Sequence, residues 1–221
     1  MTRPLAVLRP EPGNAATTQA IEALGRRAIR LPLFRVMPLA WDGPPATDHD
    51  ALILTSANAV RQAGATLHRY ATLPVHAVGA ATAAAAWAAG LHVVATGDAD
   101  GQALLDDAER AGVRRALLLT ARDRAVADHR VLSAIRAVYA SDAVDGVDTA
   151  VLHGAVALVH SQRAARRLAM LAKDRAAIAV AAIAPAVADA LGSGWRAVAI
   201  AARPDDAATI AAATALADAC D

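Results

Sequence analysis

Short apolar runs, each followed at once by helix-capping residues, recur along this chain. Ala51–Leu54 precedes Thr55-Ser56-Ala57-Asn58, and Val75–Val78 precedes Gly79. Apolar runs without polar alternation are typical of strands buried on both faces of a parallel sheet, and Ser, Thr and Asn favour helix N-termini. The pattern therefore predicts two strand–turn–helix units in tandem, with Thr82 in the first turn of the second helix.

The same arrangement recurs in the second half of the chain. Val156–His160 precedes Ser161-Gln162, and Ala181–Val187 parallels His76–Thr82 with the same spacing from the first motif. We interpret this as two copies of one α/β domain. Strands that alternate with helices predict parallel sheets with helices on both faces. Ligands bind at the carboxyl ends of such strands, where helix N-termini favour anions.

One strand is missing from the second copy. It has no counterpart of the predicted strand Ala116–Leu119, and Leu5–Leu8 near the start of the chain would supply it. The predicted fold class is α/β, with two similar parallel-sheet domains of flavodoxin or Rossmann type joined by a two-stranded linker. One domain is discontinuous, residues 1–33 plus 142–221, and the other is 34–141. Paired extended crossings would make a hinge, with a ligand-binding cleft between the domains.

Some local predictions depend on single residues or short segments. Asn14 is expected to cap a helix over Ala15–Leu24. Pro32 indicates that the strand Ala28–Leu33 lies at a sheet edge or leaves the sheet at that point. Ala127–Ala134 is expected to be helical.

Composition narrows the function classes. A net charge of +1 gives no global attraction for nucleic acid. Cys220 is the single cysteine, so neither an internal disulfide nor a cysteine-type zinc site can form. The histidines lack metal-ligand spacing, and we expect no metal. No run of about 18 strongly apolar residues and no signal-peptide core occur. We expect a cytoplasmic monomer without membrane or nucleic-acid partners.

Five motifs, in this order and spacing, resemble the uroporphyrinogen-III synthase family over essentially the whole chain. They are Arg9-Pro-Glu-Pro-Gly13, Leu31-Pro-Leu33, Leu54-Thr-Ser-Ala-Asn-Ala-Val60, Ala77-Val-Gly-Ala-Ala-Thr82-Ala83 and Val138-Tyr139. The family fold, two α/β domains with one discontinuous, agrees with the topology inferred from the repeat.

The resemblance implies a lyase of tetrapyrrole (heme) biosynthesis that needs no cofactor. Its substrate would be a linear tetrapyrrole with eight carboxylates, hydroxymethylbilane. The reaction would close the ring with inversion of ring D and loss of water. Tyr139 matches the family's candidate proton donor, and Thr82 matches a threonine that faces the cleft. Without the resemblance, Tyr139 reads as a packed strand tyrosine and Thr82 as a cap.

The candidate substrate-binding residues lie where predicted strands give way to helices or turns. They are Arg9, Thr55, Ser56, Ala57, Asn58, Gly79, Thr82, Arg122, Ser161, Gln162 and Val187. Arg124 and Arg163 are further arginines near these edges that could pair a carboxylate. For each serine and arginine the alternative is a simple helix cap or a solvated charge.

The chain departs from the family pattern in its second copy. The motif Gly-Pro-x-Thr appears as Ala184-Pro-Ala-Val187, so Val187 brings no hydroxyl. An alternative hypothesis therefore stays open: a non-catalytic or degenerate relative that captures a small anionic ligand in the same cleft.

Overall fold

The chain folds into two compact α/β units, seen in a computed structural model that describes residues 3–97, 101–123 and 128–219. Unit 1 takes the chain up to Arg35 together with the chain from Ala143 onward, and unit 2 takes Val36–Asp142. Unit 1 is therefore discontinuous. The predicted fold class, with two parallel-rich sheets and one discontinuous domain, is confirmed.

The strands and helices follow the predicted alternation along most of the chain. The strands are β1 (Leu5–Val7), β2 (Ala28–Arg30), β3 (Phe34–Pro38), β4 (Ala51–Leu54), β5 (Pro74–Val78), β6 (His92–Gly97), β7 (Ala116–Ala121), β8 (Leu132–Ala143), β9 (Val156–Val159), β10 (Ala179–Ala182) and β11 (Ala197–Ile200). The α-helices are α1 (Gly13–Ala23), α2 (Ala57–Gln62), α3 (Ala80–Ala88), α4 (Gly101–Arg110), α5 (Gln162–Leu171), α6 (Pro185–Leu191) and α7 (Asp206–Ala219). Short 3-10 helices occur at Ala46–Asp48, Gly64–Tyr70, Thr149–Leu152 and Arg175–Ala177.

The sheet of unit 1 has the strand order β11-β10-β9-β1-β2. Leu5 of β1 pairs in parallel with Val156 of β9 on one side and with Ala28 of β2 on the other. The first strand of the chain thus fills the place that the second copy leaves open, as the sequence predicted. β2 lies at the edge of the sheet, in agreement with Pro32 just beyond it.

The sheet of unit 2 has the order β3-β8-β7-β4-β5-β6. The strand pairs from β8 to β6 are parallel. β7, which lies next to β4 in this sheet, corresponds to β1, which lies next to β9 in the sheet of unit 1. The chain leaves unit 1 within β3 and returns to it at the end of β8. These two neighbouring strands form the predicted two-stranded linker.

Each sheet has its central strands buried on both faces. In unit 1 one face packs against α5 and α6, and the other packs against α1 and α7. In unit 2 the corresponding layers are α2 with α3 on one face and α4 on the other. Because much of the apolar content is alanine, these helices can lie close to the sheets, and the cores contain few aromatic rings.

The predicted helix Ala127–Ala134 is wrong for the part that the structure describes. Ala127 lies outside the described residues, and β8 already begins at Leu132, which pairs with Ala116 of β7. Pairing with a neighbouring strand decides the structure here, since local propensity is weaker than tertiary packing.

Asn14 does not cap a helix, contrary to the prediction. It lies inside α1 and is fully buried. Its side-chain amide donates to the carbonyls of Val7 (2.8 Å) and Arg9 (2.9 Å), and its oxygen accepts from Arg30 Nε (3.1 Å). Asn14 therefore ties α1 to the ends of β1 and β2.

The capping contact at this end of α1 comes instead from Glu11. Its carboxylate accepts a hydrogen bond from the Ala15 amide at 3.0 Å. A helix start needs an acceptor for its free amides, and any nearby side chain of suitable reach can supply it.

Candidate active site

The carboxyl end of β4 opens directly into α2. Ser56 is the N-cap in extended conformation, and its hydroxyl accepts from the Asn58 amide at 3.2 Å, as predicted. The Ala57 amide, at the first position of the helix, makes no hydrogen bond to any described residue. Thr55 to Asn58 are partly exposed, so this segment presents backbone and side-chain donors together.

Gly79 joins β5 to α3 in a conformation that side chains disfavour. Its φ of 76° and ψ of 151° lie in a region that is essentially restricted to glycine. The Gly79 carbonyl accepts from the amides of Thr82 and Ala83, both at 3.1 Å. The exposed Ala80 and Ala81 amides make no hydrogen bond to a described residue, so the start of this helix offers two free donors.

The matching position in unit 1 needs no glycine. Ala184 has a φ of −157° and a ψ of 160°, which is ordinary extended backbone, and Pro185 follows it. The two copies of the motif thus reach their helices by different backbone paths. This difference explains why alanine is accepted at one position and glycine is required at the other.

We predict that Gly79→Ala lowers the free energy of unfolding by about 1–3 kcal/mol, because the methyl group must enter a strained backbone region. The matched variant Ala184→Gly is expected to cost less than about 1 kcal/mol, through added chain entropy alone. Urea denaturation of both variants measures the difference. Equal losses in the two variants would show that the positive φ of Gly79 is not what selects glycine.

Thr82 and Val187 occupy the third positions of α3 and α6, and both residues are buried. Thr82 is 4% exposed and Val187 is 5% exposed. Val187 belongs to the core cluster of unit 1 that α5 and α6 form against the sheet. The missing hydroxyl at Val187 is therefore a change within a packed core.

Tyr139 lies on β8, and a bulge in this strand sets its direction. The register pairs Thr120 with Ala137 but Ala121 with Tyr139, so Val138 is the extra residue. Without the bulge Tyr139 would point to the opposite face of the sheet. It is 8% exposed and belongs to the core cluster on the α2 and α3 face.

The candidate arginines are already engaged by protein groups. Arg122 is exposed and pairs with Asp142 at 2.5 Å, while Arg9 pairs with Asp206 at 3.3 Å. The Arg163 guanidinium lies 4.5 Å from the centre of the Phe34 ring. Arg124 lies outside the described residues.

Ser161 and Gln162 start α5 in unit 1. The Ser161 hydroxyl accepts from the Ala164 amide at 3.1 Å, which makes Ser161 the structural equivalent of Ser56. Gln162 accepts from Arg166 at 2.9 Å and is exposed. Its backbone amide, at the first helical position, makes no hydrogen bond to a described residue.

Sequence reasoning missed a polar cluster beside Ser161. His160, Thr17 and Arg9 converge on the carboxylate of Asp206, the first residue of α7. Burial opposes ionisation of this carboxyl, but hydrogen bonds from His160 and Thr17 and the charges of His160 and Arg9 lower its pKa. The available signal was a histidine directly after a buried strand, at the position that matches Thr55.

A separate cavity of about 390 Å³ lies at the amino ends of the strands in unit 2. Asp50, Pro74 and His76 line it among others, and burial lowers the pKa of His76. Ser56 and Gly79 follow the other ends of the same strands, so this cavity is distinct from the candidate site. Within the described residues no group of His, Cys, Asp and Glu side chains is arranged to hold a metal ion.

Across the described part of the chain, no helix is both long and apolar enough to span a membrane. Proteins with this architecture and these helix starts form a recognisable class. They are two-unit α/β proteins with one discontinuous unit, in which helices begin at the carboxyl ends of parallel strands. Such helix starts suit anionic ligands.

The chain belongs to the uroporphyrinogen-III synthase HemD family, whose model matches residues 15–211. The fold is similar to that of uroporphyrinogen-III synthetase from Helicobacter pylori, with a TM-score of 0.65 and 16% identity over 97% of this chain and 99% of that one. A mutant uroporphyrinogen III synthase from Thermus thermophilus gives a TM-score of 0.61 and 17% identity over 99% of this chain and 100% of that one. No curated protein matches the chain significantly in sequence.

The resemblance inferred from the five motifs is thus confirmed. The family consists of cofactor-independent hydro-lyases of tetrapyrrole biosynthesis that act on hydroxymethylbilane, and membership assigns uroporphyrinogen-III synthase activity to this chain.

Proposed function

We propose that this chain binds hydroxymethylbilane through helix-start amides and arginine side chains and closes it to uroporphyrinogen III with Tyr139 as proton donor. The family match over residues 15–211 is the observation that carries the proposal. The residue roles rest on the chemistry of each position. In this reaction the hydroxyl of the ring A hydroxymethyl group leaves as water, and ring D attacks through its substituted carbon.

The substrate carries eight carboxylates, so its binding requires many hydrogen-bond donors. Backbone amides at Ala57, Ala80 and Gln162 are free of partners among the described residues. Each lies at the first position of a helix, where the helix dipole favours negative charge. Amide donors fixed by the fold lose little entropy on binding, which favours recognition of a flexible polyanion.

Tyr139 is the proposed acid that assists the departure of hydroxide. Its hydroxyl makes no hydrogen bond to any described residue, although the ring is largely buried. A buried ring with an uncommitted hydroxyl can direct one proton to a bound leaving group. The bulge at Val138 supports this role, since bulges commonly redirect a side chain near a functional site.

Control of ring orientation is the second requirement. After loss of water ring A is an azafulvene with an electrophilic methylene carbon, and attack by the unsubstituted carbon of ring D would close the ring without inversion to isomer I. The proposed contacts hold several carboxylates at once, which positions the substituted carbon of ring D for attack and favours the spiro intermediate. The bond between this carbon and the methylene group that links ring D to ring C then breaks, and the electrophilic methylene carbon bonds to the unsubstituted carbon of ring D. Loss of the proton from that carbon completes the inverted ring.

A second candidate function is capture of a small anion without catalysis. Val187 favours it, because the hydroxyl of the family motif is missing there. Val187 is buried, so we interpret the missing hydroxyl as a change in the core of unit 1 and not as a loss of catalytic function. We therefore prefer the enzyme to the anion-binding candidate.

The product isomer tests the proposal directly. Freshly made hydroxymethylbilane is supplied to the protein, the product is oxidised, and the porphyrin isomers are separated. We expect isomer III in clear excess over isomer I, the product of spontaneous closure. Isomer I alone, from protein that is folded by circular dichroism, would reject the enzyme and leave the anion-binding candidate.

A further inference from the structure

Four side chains meet at the carboxyl edge of the sheet in unit 1. Asp206 accepts a hydrogen bond from His160 Nε2 at 2.8 Å, and both of its oxygens lie within 2.9 Å of the Thr17 hydroxyl. Arg9 Nη1 donates to the same carboxylate at 3.3 Å and to Thr17 at 3.5 Å. Family membership by itself gives no role to Asp206, Thr17 or His160.

The cluster belongs to unit 1 alone. His160 and Asp206 match Thr55 and Gly101 in the repeat, and neither of those residues can rebuild the same charge arrangement. The carboxylate connects residues that are far apart in sequence, since Arg9 and Asp206 are separated by 197 positions. Such a cluster fixes the Arg9 side chain relative to the end of β9 and the start of α5.

Gly13 completes the setting of Arg9. A Cβ atom at Gly13 would lie 2.4 Å from Arg9 Nε, 2.7 Å from Cζ and 2.9 Å from Nη2. These distances are shorter than any real contact, so the guanidinium occupies space that every other residue would fill. The Gly13 backbone is helical and accepts other residues, so a larger residue at position 13 would mainly displace the flexible end of Arg9 from this place.

One edge of the guanidinium stays open. Nη1 is committed to Asp206 and Thr17, whereas Nε and Nη2 make no hydrogen bond to any described residue. The Arg9 side chain is 34% exposed. Nε and Nη2 form the side of a guanidinium that binds a carboxylate through two parallel hydrogen bonds.

We propose that Asp206 and Gly13 position Arg9 as a preorganised, bidentate carboxylate-binding group of unit 1. The ligand class is a carboxylate of the tetrapyrrole, so the inference rests on the proposed function. Asp206 and Thr17 hold Nη1, Gly13 leaves room for the guanidinium plane, and Nε with Nη2 receives the carboxylate. Because the side chain is fixed beforehand, binding costs little rotamer entropy.

Gly13→Ala is the primary test, because it displaces the flexible end of Arg9 without removing any charge. Alanine is favoured over glycine in a helix, so the melting temperature is expected to stay the same or to rise. We expect KM for hydroxymethylbilane to rise about tenfold with kcat within about twofold. An unchanged KM would overturn the proposal, since a purely structural cluster predicts this outcome.

A double-mutant cycle shows whether the effect passes through Arg9. Arg9→Ala alone is expected to raise KM at least as much as Gly13→Ala does. Adding Gly13→Ala to Arg9→Ala should then change KM no further, because the group that it displaces is gone. Additive effects of the two substitutions would contradict a positioning role for Gly13.

Asp206→Asn removes the charge and keeps the size of the side chain. We expect KM to rise about tenfold, as with Gly13→Ala. Asp218→Asn is the matched control: it lies on the same helix and breaks the exposed ion pair with Arg26, which has a length of 2.7 Å. It is expected to leave KM unchanged. Equal KM values in the two variants would remove Asp206 as a positioning residue.

A binding measurement separates this inference from the proposed function. Uroporphyrin III, a porphyrin with eight carboxylates, is titrated against wild type and Gly13→Ala, and the dissociation constants are compared. If wild type makes no excess of isomer III but Gly13→Ala still weakens uroporphyrin binding about tenfold, the activity fails and the carboxylate site stands. If isomer III forms and neither KM nor binding changes, the activity stands and the carboxylate site fails. If wild type neither forms isomer III nor binds uroporphyrin III, both the proposed activity and the proposed carboxylate site are overturned.

Discussion

Replacing Tyr139 by phenylalanine is expected to lower the turnover of hydroxymethylbilane about 100-fold, the usual contribution of a positioned proton donor. The ring remains in the core cluster of unit 2, and the lost hydroxyl has no hydrogen-bond partner among the described residues. The melting temperature should therefore change little. Rates of isomer III formation for wild type and variant, at equal concentrations of folded protein, measure the effect.

Tyr70→Phe is the matched control for this substitution. Tyr70 belongs to the same core cluster, and its hydroxyl donates to the Pro44 carbonyl at 2.8 Å. Removal of that hydrogen bond should cost about 1 kcal/mol of stability and leave turnover unchanged. Full turnover in Tyr139→Phe would exclude Tyr139 as the acid and give that role to substrate carboxylates or water.

Asn14→Asp is expected to lower the free energy of unfolding by about 3 kcal/mol, although the two side chains have nearly the same shape. The amide of Asn14 donates to two backbone carbonyls, and both bonds lie where the residue is fully buried. A carboxylate would place an oxygen against those two acceptors. Calorimetric unfolding at neutral pH measures the loss.

The comparison for this prediction is Asn58→Asp. Asn58 is partly exposed and lies in the first turn of α2, where negative charge interacts favourably with the helix dipole. The Asn58→Asp variant is expected to have an unchanged or slightly higher free energy of unfolding. At low pH the introduced carboxyl at position 14 becomes protonated and can donate one hydrogen bond, so the loss there should shrink. A pH-independent loss would argue against the repulsion mechanism.

The sequence predicted the elements well where local signals agree. Ser56 and Ser161 each cap the helix that follows their strand, as the pattern indicated. Apolar runs without alternation became strands buried on both faces, because a short unbroken apolar run favours that environment. The predicted helix Ala127–Ala134 was wrong, since the chain from Leu132 onward pairs with β7 as a strand.

The candidate site was predictable only in outline. The positions after β4, β5 and β9 were found because they follow strands, and strands end at a common edge of a parallel sheet. The sequence did not indicate which groups the candidate arginines contact. Arg122 pairs with Asp142 and Arg9 with Asp206, and both partners lie on other elements.

The alternation of strands and helices and the duplication of one motif follow from local sequence patterns, because both depend on residues within a few positions of one another. Other features arise only when distant segments pack together. The bulge at Val138 aims Tyr139 at one face of the sheet, and the end of β1 and the start of α7 bring Arg9 to Asp206. These outcomes depend on register and on contacts between distant segments, and no local pattern of residues encodes them.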